Sequence, residues 1–262
     1  MVEAWHSTCF SHGMSADFYS PEFQMLGREQ DRLQAISENI ANSSMPGFKK
    51  LTVGDQVFDT LLNQSVDFYK DLREKGRFDP VFIDFTEGPL KQTERPLDFA
   101  VQGSGFFVVR DDKRDLYTRN GNFKMGPDGT LQNMDGMPVQ GANGNIVVPP
   151  EANLSQLIAG PDGTIRDAQN NLLGTLKVVQ FEDLQRLDRA GTALYSAPED
   201  MPAREGDVDK YEIVHKTLEA SNTTIYDELA EMISCMRAFE ANQRMVRTFD
   251  EDQTKMINTL GA

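Results

Sequence analysis

The residue types that support metal binding or acid–base chemistry are few in this chain, and their spacing is poor. The three histidines are His6, His12 and His215, and Cys9 lies between the first two. A zinc site needs about four such ligands on a folded scaffold, and no further ligand stands at motif spacing beside these. His215 has no nucleophile or carboxylate at a catalytic spacing. We therefore expect no metal centre, and a solvated histidine at position 215.

Ser104 superficially resembles a serine nucleophile or part of a phosphate-binding loop. The nucleophile elbow places its glycines two positions from the serine, whereas Gly103 and Gly105 flank Ser104 directly. The Asp-Gly pair at Asp128 lacks the alternating oxygen ligands and the late glutamate of a calcium loop. The sequence therefore predicts a protein that is not an enzyme, with no catalytic residue, no cofactor and no metal.

Composition and charge narrow the function classes further. The 262 residues include 41 acidic and 26 basic side chains, for a formal net charge of −15. A field of this sign repels phosphate backbones and anionic lipid, so we expect neither nucleic-acid nor lipid-membrane binding. The two cysteines, Cys9 and Cys235, are too far apart for a disulfide framework. The N-terminus lacks the pattern of a cleaved signal peptide, so we expect any export to use a route that does not read one.

A helical period first appears near the N-terminus. Leu26, Leu33, Ile36 and Ile40 recur at intervals of seven, three and four, which places them on one helical face. Proline and glycine follow shortly afterwards and are typical of a helix end. We therefore expect an irregular extension over residues 1–20, a helix over 21–48 and a linker over 49–81.

From residue 82 to residue 213 the pattern changes to short β-prone runs separated by turns. Five Asn-Gly or Asp-Gly dipeptides occur in this stretch, and these residues tolerate the positive φ of tight hairpins. The phrase Gly-Pro-Asp-Gly-Thr begins at Gly126 and again at Gly160. Each copy reads as a turn that leads into a strand. We therefore expect a central β domain over 82–213 that contains two related β units.

A second helical period covers the C-terminal region, for which we expect a helix over residues 221–262. Ser221 or Asn222 is suited to cap its start. Apolar residues then recur at steps of four, three, four and three, with one more in register seven later, which is a heptad seam of the coiled-coil kind. The seam consists of Ile225, Leu229, Met232, Met236, Phe239 and Val246.

These patterns predict an α+β fold, in which a central mostly-β domain is flanked by terminal helices that pair into a coiled-coil-like module. Each helix must bury an apolar stripe, since a buried Leu, Ile or Phe contributes about 1.5–3 kcal/mol. The other terminal helix is the nearest partner in the chain. A second copy of the molecule would cover whatever stripe remains. The two stripes are therefore the predicted assembly interface.

Three motifs in chain order resemble the flagellar rod and hook protein family. The first runs from Leu33 to Lys49 and contains Asn39, Ala41 and Asn42 and the turn at Gly47 and Phe48. The second covers residues 96–107 and 117–123, with the sequences PLDFAVQGSGFF and YTRNGNF. The third is LEASN, which ends at Ser221 and Asn222. The resemblance extends from about Leu26 to the C-terminus.

The resemblance implies a structural axial subunit of the flagellar basal-body rod, with terminal helices that polymerise around the export channel and a β domain outside them. It implies homo-oligomers, contacts with other rod and hook proteins, and passage through the flagellar export apparatus without a cleaved signal peptide. The implied location is the basal body, spanning the periplasm. The motifs are most similar to those of proximal rod members, with distal rod and hook subunits as alternatives.

One alternative comes from another class of protein. A secreted β domain that binds a sugar or another ligand, with its helices acting only as an oligomerisation stalk, fits the same order of elements. Such a protein would have a concave, aromatic pocket, for which Tyr117, Phe123 and Tyr195 are the candidate lining residues.

Overall fold

The computed structural model describes residues 21–53, 81–111, 114–149, 154–207 and 210–260. The expected N-terminal extension and most of the expected linker lie outside these residues. Contacts divide the chain into two compact units. The helical unit takes its described residues from the stretches up to Ile40, from Leu51 to Phe82 and from Ile225 onward. The β unit consists of Ala41–Lys50 and Ile83–Thr224.

Most of the regular elements in the described residues are β-strands. The strands, numbered in chain order, are β1 Leu51–Val53, β2 Val81–Ile83, β3 Leu90–Gln92, β4 Phe99–Gly103, β5 Phe106–Arg110, β6 Asp115–Thr118, β7 Lys124–Met125, β8 Leu131–Gln132, β9 Gln140–Gly141, β10 Gly144–Asn145, β11 Ile158–Ala159, β12 Thr164–Arg166, β13 Leu172–Thr175, β14 Val178–Gln180, β15 Asp188–Arg189, β16 Tyr195–Ser196, β17 Arg204–Glu205, β18 Tyr211–His215 and β19 Thr217–Glu219. Single 3-10 turns cover Leu154–Gln156 and Leu184–Arg186.

A six-stranded sheet in the order β15-β16-β6-β5-β14-β17 forms the centre of the β unit. The first four residues of β5 are all buried, because both faces of this strand are covered. Phe107 on β5 packs edge-on against Phe123 with ring centroids 5.3 Å apart, and Phe99 lies 6.0 Å from Phe123. All three rings are fully buried. Such aromatic pairs stabilise a core beyond the area that they bury.

Two shorter ladders involve β18 and β19. Strand β18 pairs antiparallel with β4, and β19 pairs antiparallel with β3. Lys216 lies between β18 and β19 with a φ of 53°, in the left-handed region. This conformation is costly for a residue with a side chain. The turn at Lys216 ends the ladder of β18 with β4 and begins the ladder of β19 with β3.

The recurrent Gly-Pro-Asp-Gly-Thr phrase marks two similar β meanders. The first consists of β7, β8 and the residues near Pro138, and the second of β11, β12 and β13. In both, the N–H of the phrase's first glycine donates to the threonine carbonyl at 2.8 Å, and the aspartate carboxylate accepts the threonine hydroxyl. The equivalent second turns are closed by Asn133 and Asp167.

The helical unit contains two helices of unequal length. The N-terminal helix spans Pro21–Asn42, and the C-terminal helix spans Ile225–Leu260. Asp227 and Glu228 lie in the first turn of the C-terminal helix, where the helix dipole favours negative charge. Within the described residues, neither helix combines the length and apolar character needed to cross a membrane.

The predicted fold class, an α+β fold with a paired coiled-coil-like helical module, is wrong. The described chain is mostly β, with one long C-terminal helix and a shorter N-terminal one. The seam residues Ile225, Leu229 and Met236 are 43–49% exposed, whereas Glu228 and Cys235 on the same helix are buried. Periodicity identifies which residues share a helical face, but it does not identify which neighbour covers that face. The prediction therefore placed the apolar face of the C-terminal helix against the N-terminal helix, whereas much of that face is exposed.

Two glycines in equivalent left-handed conformations provide a test of packing in the β unit. Gly163 has a φ of +84°, and an added Cβ would lie 2.8 Å from Ile213 Cδ1. Gly136 has a φ of +89°, and an added Cβ would have no heavy atom within 4 Å. We expect Gly136→Ala to cost about 1–2 kcal/mol through backbone strain alone. Gly163→Ala should cost at least about 1 kcal/mol more, because it also overpacks the core.

Urea unfolding of both variants measures the difference. Equal destabilisation by the two substitutions would contradict the close approach of Gly163 to β18.

Candidate assembly site

A cluster of buried charges lies in the β unit. The Glu219 carboxylate accepts hydrogen bonds from Lys49 Nζ at 2.6 Å and from the Gly88 N–H at 2.9 Å. Arg119 Nη1 lies 3.4 Å from its second oxygen. The side chains of Lys49 and Glu219 are each 1% exposed. A carboxylate this deeply buried is stable only because several donors surround it.

Arg119 connects this cluster to β4. Its Nη1 donates to the Val101 carbonyl at 3.0 Å, and its Nη2 donates to the Gly103 carbonyl at 2.8 Å. The guanidinium carbon lies 5.2 Å from the centre of the Phe106 ring, at a distance typical of a cation–π contact. Burial lowers the pKa of Arg119, and the Glu219 carboxylate opposes that change.

Lys49 is held by the same carboxylate. Burial lowers the pKa of Lys49, while the charge of Glu219 and its hydrogen bond act in the opposite direction. Lys49 Nζ also donates to the Thr86 carbonyl at 2.6 Å. On folding, the ammonium group of Lys49 therefore replaces hydrogen bonds to water with bonds to one carboxylate and one carbonyl.

Further hydrogen bonds around the cluster join two distant parts of the chain. The Gly47 N–H donates to the Glu219 carbonyl at 2.8 Å. The Lys50 N–H donates to Asn222 Oδ1 at 2.7 Å, and Asn222 Nδ2 donates to the Asp84 carbonyl at 2.8 Å. We call the incoming residues 47–50 and the outgoing residues 219–222 the clasp. The clasp closes the β unit at the two points where the chain passes to the helices.

Gly47 is required by the geometry of the clasp. Its φ is +69°, and an added Cβ would lie 2.3 Å from the Asn120 nitrogen. No side chain fits in that space, and L-residues disfavour that conformation. The next residue, Phe48, is 1% exposed and anchors the turn in the core.

In the helical unit, Asn39 forms a buried polar bridge. Its amide Nδ2 donates to the Leu51 carbonyl at 2.9 Å, and its Oδ1 accepts from the Leu51 N–H at 2.8 Å. Nδ2 also donates to Glu228 Oε2 at 3.0 Å. Asn39 thus takes the place of a strand partner for Leu51 and joins it to the C-terminal helix. The geometry of Asn39 is therefore that of a bridge.

Further contacts between the two helices are also polar. Arg32 Nη2 donates to Glu231 Oε1 at 3.1 Å, and the Cys235 thiol donates to Glu29 Oε2 at 3.0 Å. Burial, reinforced by the Glu29 carboxylate, raises the pKa of the Cys235 thiol to about 12. These contacts between the two helices are therefore made by charged and polar side chains.

The apolar face of the C-terminal helix is exposed instead. Ile225, Leu229, Ile233 and Met236 follow one another at steps of four, four and three, and they are 43–53% exposed. We call these four residues the outer stripe. Exposed apolar residues in a contiguous stripe are typical of an interaction site.

The predicted site residues lie in three kinds of environment. Buried residues are Ile36, Asn39, Gly47, Phe48 and Ser221. Half-buried residues are Leu33, Ile40, Asn42, Asn222, Met232, Phe239 and Val246. Exposed residues are Ala41, Ile225, Leu229 and Met236. The side chain of Leu26 lies outside the described part of the structure.

Sequence reasoning missed the charged core. Four charged residues are buried, namely Lys49, Arg119, Glu219 and Glu228. The first three lie in the family motifs of the sequence, but nothing else in the sequence indicated their roles. Spacing alone cannot reveal partners, because the three charges of the cluster are far apart in sequence.

The aromatic pocket required by the ligand-binding alternative is not formed by its candidate residues. Tyr117, Phe123 and Tyr195 are 9%, 0% and 1% exposed and belong to the interior of the β unit. Burial raises the pKa of Tyr195 well above its usual value. Within the described ranges, no group of three or more His, Cys, Asp or Glu residues is arranged to hold a metal ion.

Comparison with known proteins gives a consistent result along the chain. The profile of the flagellar hook protein FlgE/F/G D1 domain matches residues 100–166, and that of the flagellar basal body rod FlgEFG protein C-terminal matches residues 215–260. The flagellar basal-body rod protein FlgG of Bacillus subtilis is 30% identical over 251 residues, which cover 87% of this chain and 93% of the relative. FlgF of Salmonella typhimurium is 32% identical over 234 residues, or 84% and 89% of the two chains.

The buried bridge of the helical unit is tested by Asn39→Asp. The substitution keeps the acceptor for Leu51 N–H, removes the amide donor and places a second carboxylate beside Glu228. We expect a loss of about 2–4 kcal/mol in unfolding free energy, measured with urea at neutral pH. The exposed Gln34→Glu on the same helix adds the same charge and should cost no more than about 0.5 kcal/mol. Equal effects of the two would contradict the bridge.

The buried thiol predicts a pH dependence. The pKa of Cys235 is raised to about 12 in the folded chain, against about 8.5 for a free thiol. Between these values the unfolded chain loses a proton that the folded chain keeps, so the contribution of the thiol to stability falls as pH rises. We therefore expect unfolding free energy to decline less between pH 8 and pH 10.5 in Cys235→Ala than in the unaltered protein.

Ser234→Ala, at the exposed neighbouring position, serves as the control and should retain the original decline. An identical pH slope in Cys235→Ala and the unaltered chain would show that the thiol is not protected in the folded state.

Proposed function

The chain belongs to the family of flagellar basal-body rod proteins, and we infer from this premise that it is a structural subunit of that rod and not an enzyme. The two family profiles and the relatives named FlgF and FlgG support this assignment. Relatives with both names match at similar identity. Proximal rod, distal rod and hook subunits therefore all stay within the proposal, with a rod subunit preferred.

The outer stripe is the observation that carries the proposed assembly role. Its four side chains are about half exposed, although the same helix buries Glu228 and Cys235 on its other side. Covering the remaining apolar surface would contribute roughly 25 cal/mol per Å². Since an adjoining copy or another rod protein presents helices of the same kind, we propose that the outer stripe packs against a neighbouring subunit.

The clasp supports the same role in a different way. It joins residues 47–50 to residues 219–222 through the β unit's own side chains and backbone groups, without using either helix. The β unit is therefore closed independently of what the helices contact. A subunit whose helices engage neighbours requires a body that stays folded while they do so.

The remaining parts of the proposal concern partners and location. The basal body is the location, and other rod and hook proteins are the partners that the family supports. We propose in addition that copies polymerise through their terminal helices around the export channel, and that the rod they build spans the periplasm. Passage through the flagellar export apparatus without a cleaved signal peptide, and the lack of nucleic-acid or lipid binding, belong to the same proposal.

Self-association of the purified chain tests the outer stripe. The double variant Leu229→Asn with Ile233→Asn removes two apolar side chains from the middle of the stripe. We expect its self-association constant, measured by sedimentation velocity over a concentration series, to fall by about 100-fold or more. Arg237→Asn with Glu240→Asn introduces the same two residues at exposed polar positions of this helix and should leave association unchanged.

Circular dichroism on both double variants controls for loss of helix. Unchanged association in the Leu229/Ile233 variant, with the helix intact, would contradict assembly through the outer stripe.

A further inference from the structure

Two Asn-Gly dipeptides occur in the chain, at Asn120 and at Asn143. Asparagine is a thermolabile residue, and it is most labile before glycine, because glycine has no Cβ to hinder attack by its own backbone nitrogen. The two dipeptides therefore have similar intrinsic reactivity. The fold places them in opposite environments, so the fold decides which of them reacts.

The first dipeptide is held on both sides by the β unit. Asn120 Oδ1 accepts a hydrogen bond from the Asn122 N–H at 3.0 Å, and the Asn120 N–H donates to Thr118 Oγ1 at 3.0 Å. The Gly121 carbonyl accepts from the Phe99 N–H at 3.0 Å, and a Cβ added to Gly121 would overlap the Phe99 carbonyl oxygen. The Asn120 side chain must therefore lose these contacts before it can turn toward the Gly121 nitrogen.

The second dipeptide lies at the exposed tip of a short hairpin. Ala142 and Asn143 form the turn between β9 and β10, and both are exposed, as is Gly144. A Cβ added to Gly144 would have no heavy atom within 4 Å, so the space around this residue is open. Strands of two residues at the surface open at a low cost in free energy. The Asn143 side chain can therefore turn onto the Gly144 nitrogen without disturbing the core.

We propose that Asn143 is a site of spontaneous deamidation in the folded protein. The Gly144 backbone nitrogen loses its proton and bonds to Cγ of Asn143, while the bond from Cγ to Nδ2 breaks and ammonia leaves. A succinimide ring results, and water then opens the ring at either of its two carbonyls. The products are aspartate, with an unchanged backbone, and isoaspartate, in which the backbone runs through the former side chain. The reaction does not depend on how the chain assembles.

The reaction changes the hairpin in two ways. Either product places a carboxylate, ionised at neutral pH, where the unmodified chain has a neutral amide. Isoaspartate also lengthens the backbone between Asn143 and Gly144 by one atom, which shifts β10 against β9. Across this hairpin Gln140 Nε2 donates to Asn145 Oδ1 at 2.7 Å, and the next residue, Ile146, is buried in the core. Isoaspartate should therefore strain the cross-strand hydrogen bond and loosen the hairpin.

The test incubates the purified full-length chain at mildly alkaline pH and maps its peptides by tandem mass spectrometry at intervals. The mass change from amide to acid is read separately at Asn143 and at Asn120, and chromatography separates the aspartyl from the isoaspartyl product. We expect Asn143 to convert at least about tenfold faster than Asn120 in the folded chain. In urea, where the fold holds neither dipeptide, we expect the two rates to be similar.

Asn143→Gln is the matched variant, because it keeps an amide at the tip of the hairpin while its longer side chain closes the corresponding ring much more slowly. Its hairpin peptide should keep its mass throughout the incubation. Conversion of Asn143 no faster than that of Asn120 in the folded chain, or only in urea, would overturn the inference. The same preference for Asn143 in urea would show that the local sequence and not the fold selects the site. Continued deamidation of the hairpin peptide in Asn143→Gln would assign the reaction to another asparagine and overturn the inference as well.

Discussion

The carboxylate of Glu219 is fully enclosed and is bound by Lys49, by the backbone of Gly88 and by Arg119. These donors come from segments far apart in the chain, so the β unit cannot complete its interior until all of them have arrived. Removing any one donor would leave a buried charge partly unsatisfied, which costs far more than an exposed ion pair contributes. The clasp, the position of β19 beside β3 and the anchoring of β4 by Arg119 all depend on this carboxylate.

The C-terminal helix buries polar side chains and leaves part of its apolar stripe exposed. Asn39, Glu228 and Cys235 are buried and the half-buried Glu231 pairs with Arg32, while Ile225, Leu229, Ile233 and Met236 of the C-terminal helix are about half exposed. Polar contacts of this kind specify one arrangement without hiding the apolar surface. If the two helices of one chain packed together through the outer stripe, the stripe would be buried within that chain and unable to contact a neighbour. The arrangement therefore suits a subunit that is completed by others.

Much of the order of elements was predictable from the sequence. Periodicity indicated a helix near each end, and turn chemistry indicated a β-rich middle with a duplicated turn phrase. The fold class was nonetheless wrong, because the heptad at Ile225 and Leu229 was assigned to the other helix and not to the outside. The motif stretches contained Lys49 and Glu219, yet their contact was invisible, since sequence spacing carries no information about pairs that only tertiary folding brings together. Lys216 and Asn39 likewise owe their roles to neighbours that a local pattern does not include.

A double-mutant cycle between Lys49 and Glu219 is the most direct test of the clasp. Urea unfolding of the full chain, of Lys49→Met, of Glu219→Gln and of the combined variant gives the coupling free energy between the two side chains. We expect each single variant to be strongly destabilised and the coupling to be about 2 kcal/mol or more, because each substitution removes the partner of a buried group. Additive losses, with a coupling below about 0.5 kcal/mol, would contradict the central place given to this interaction.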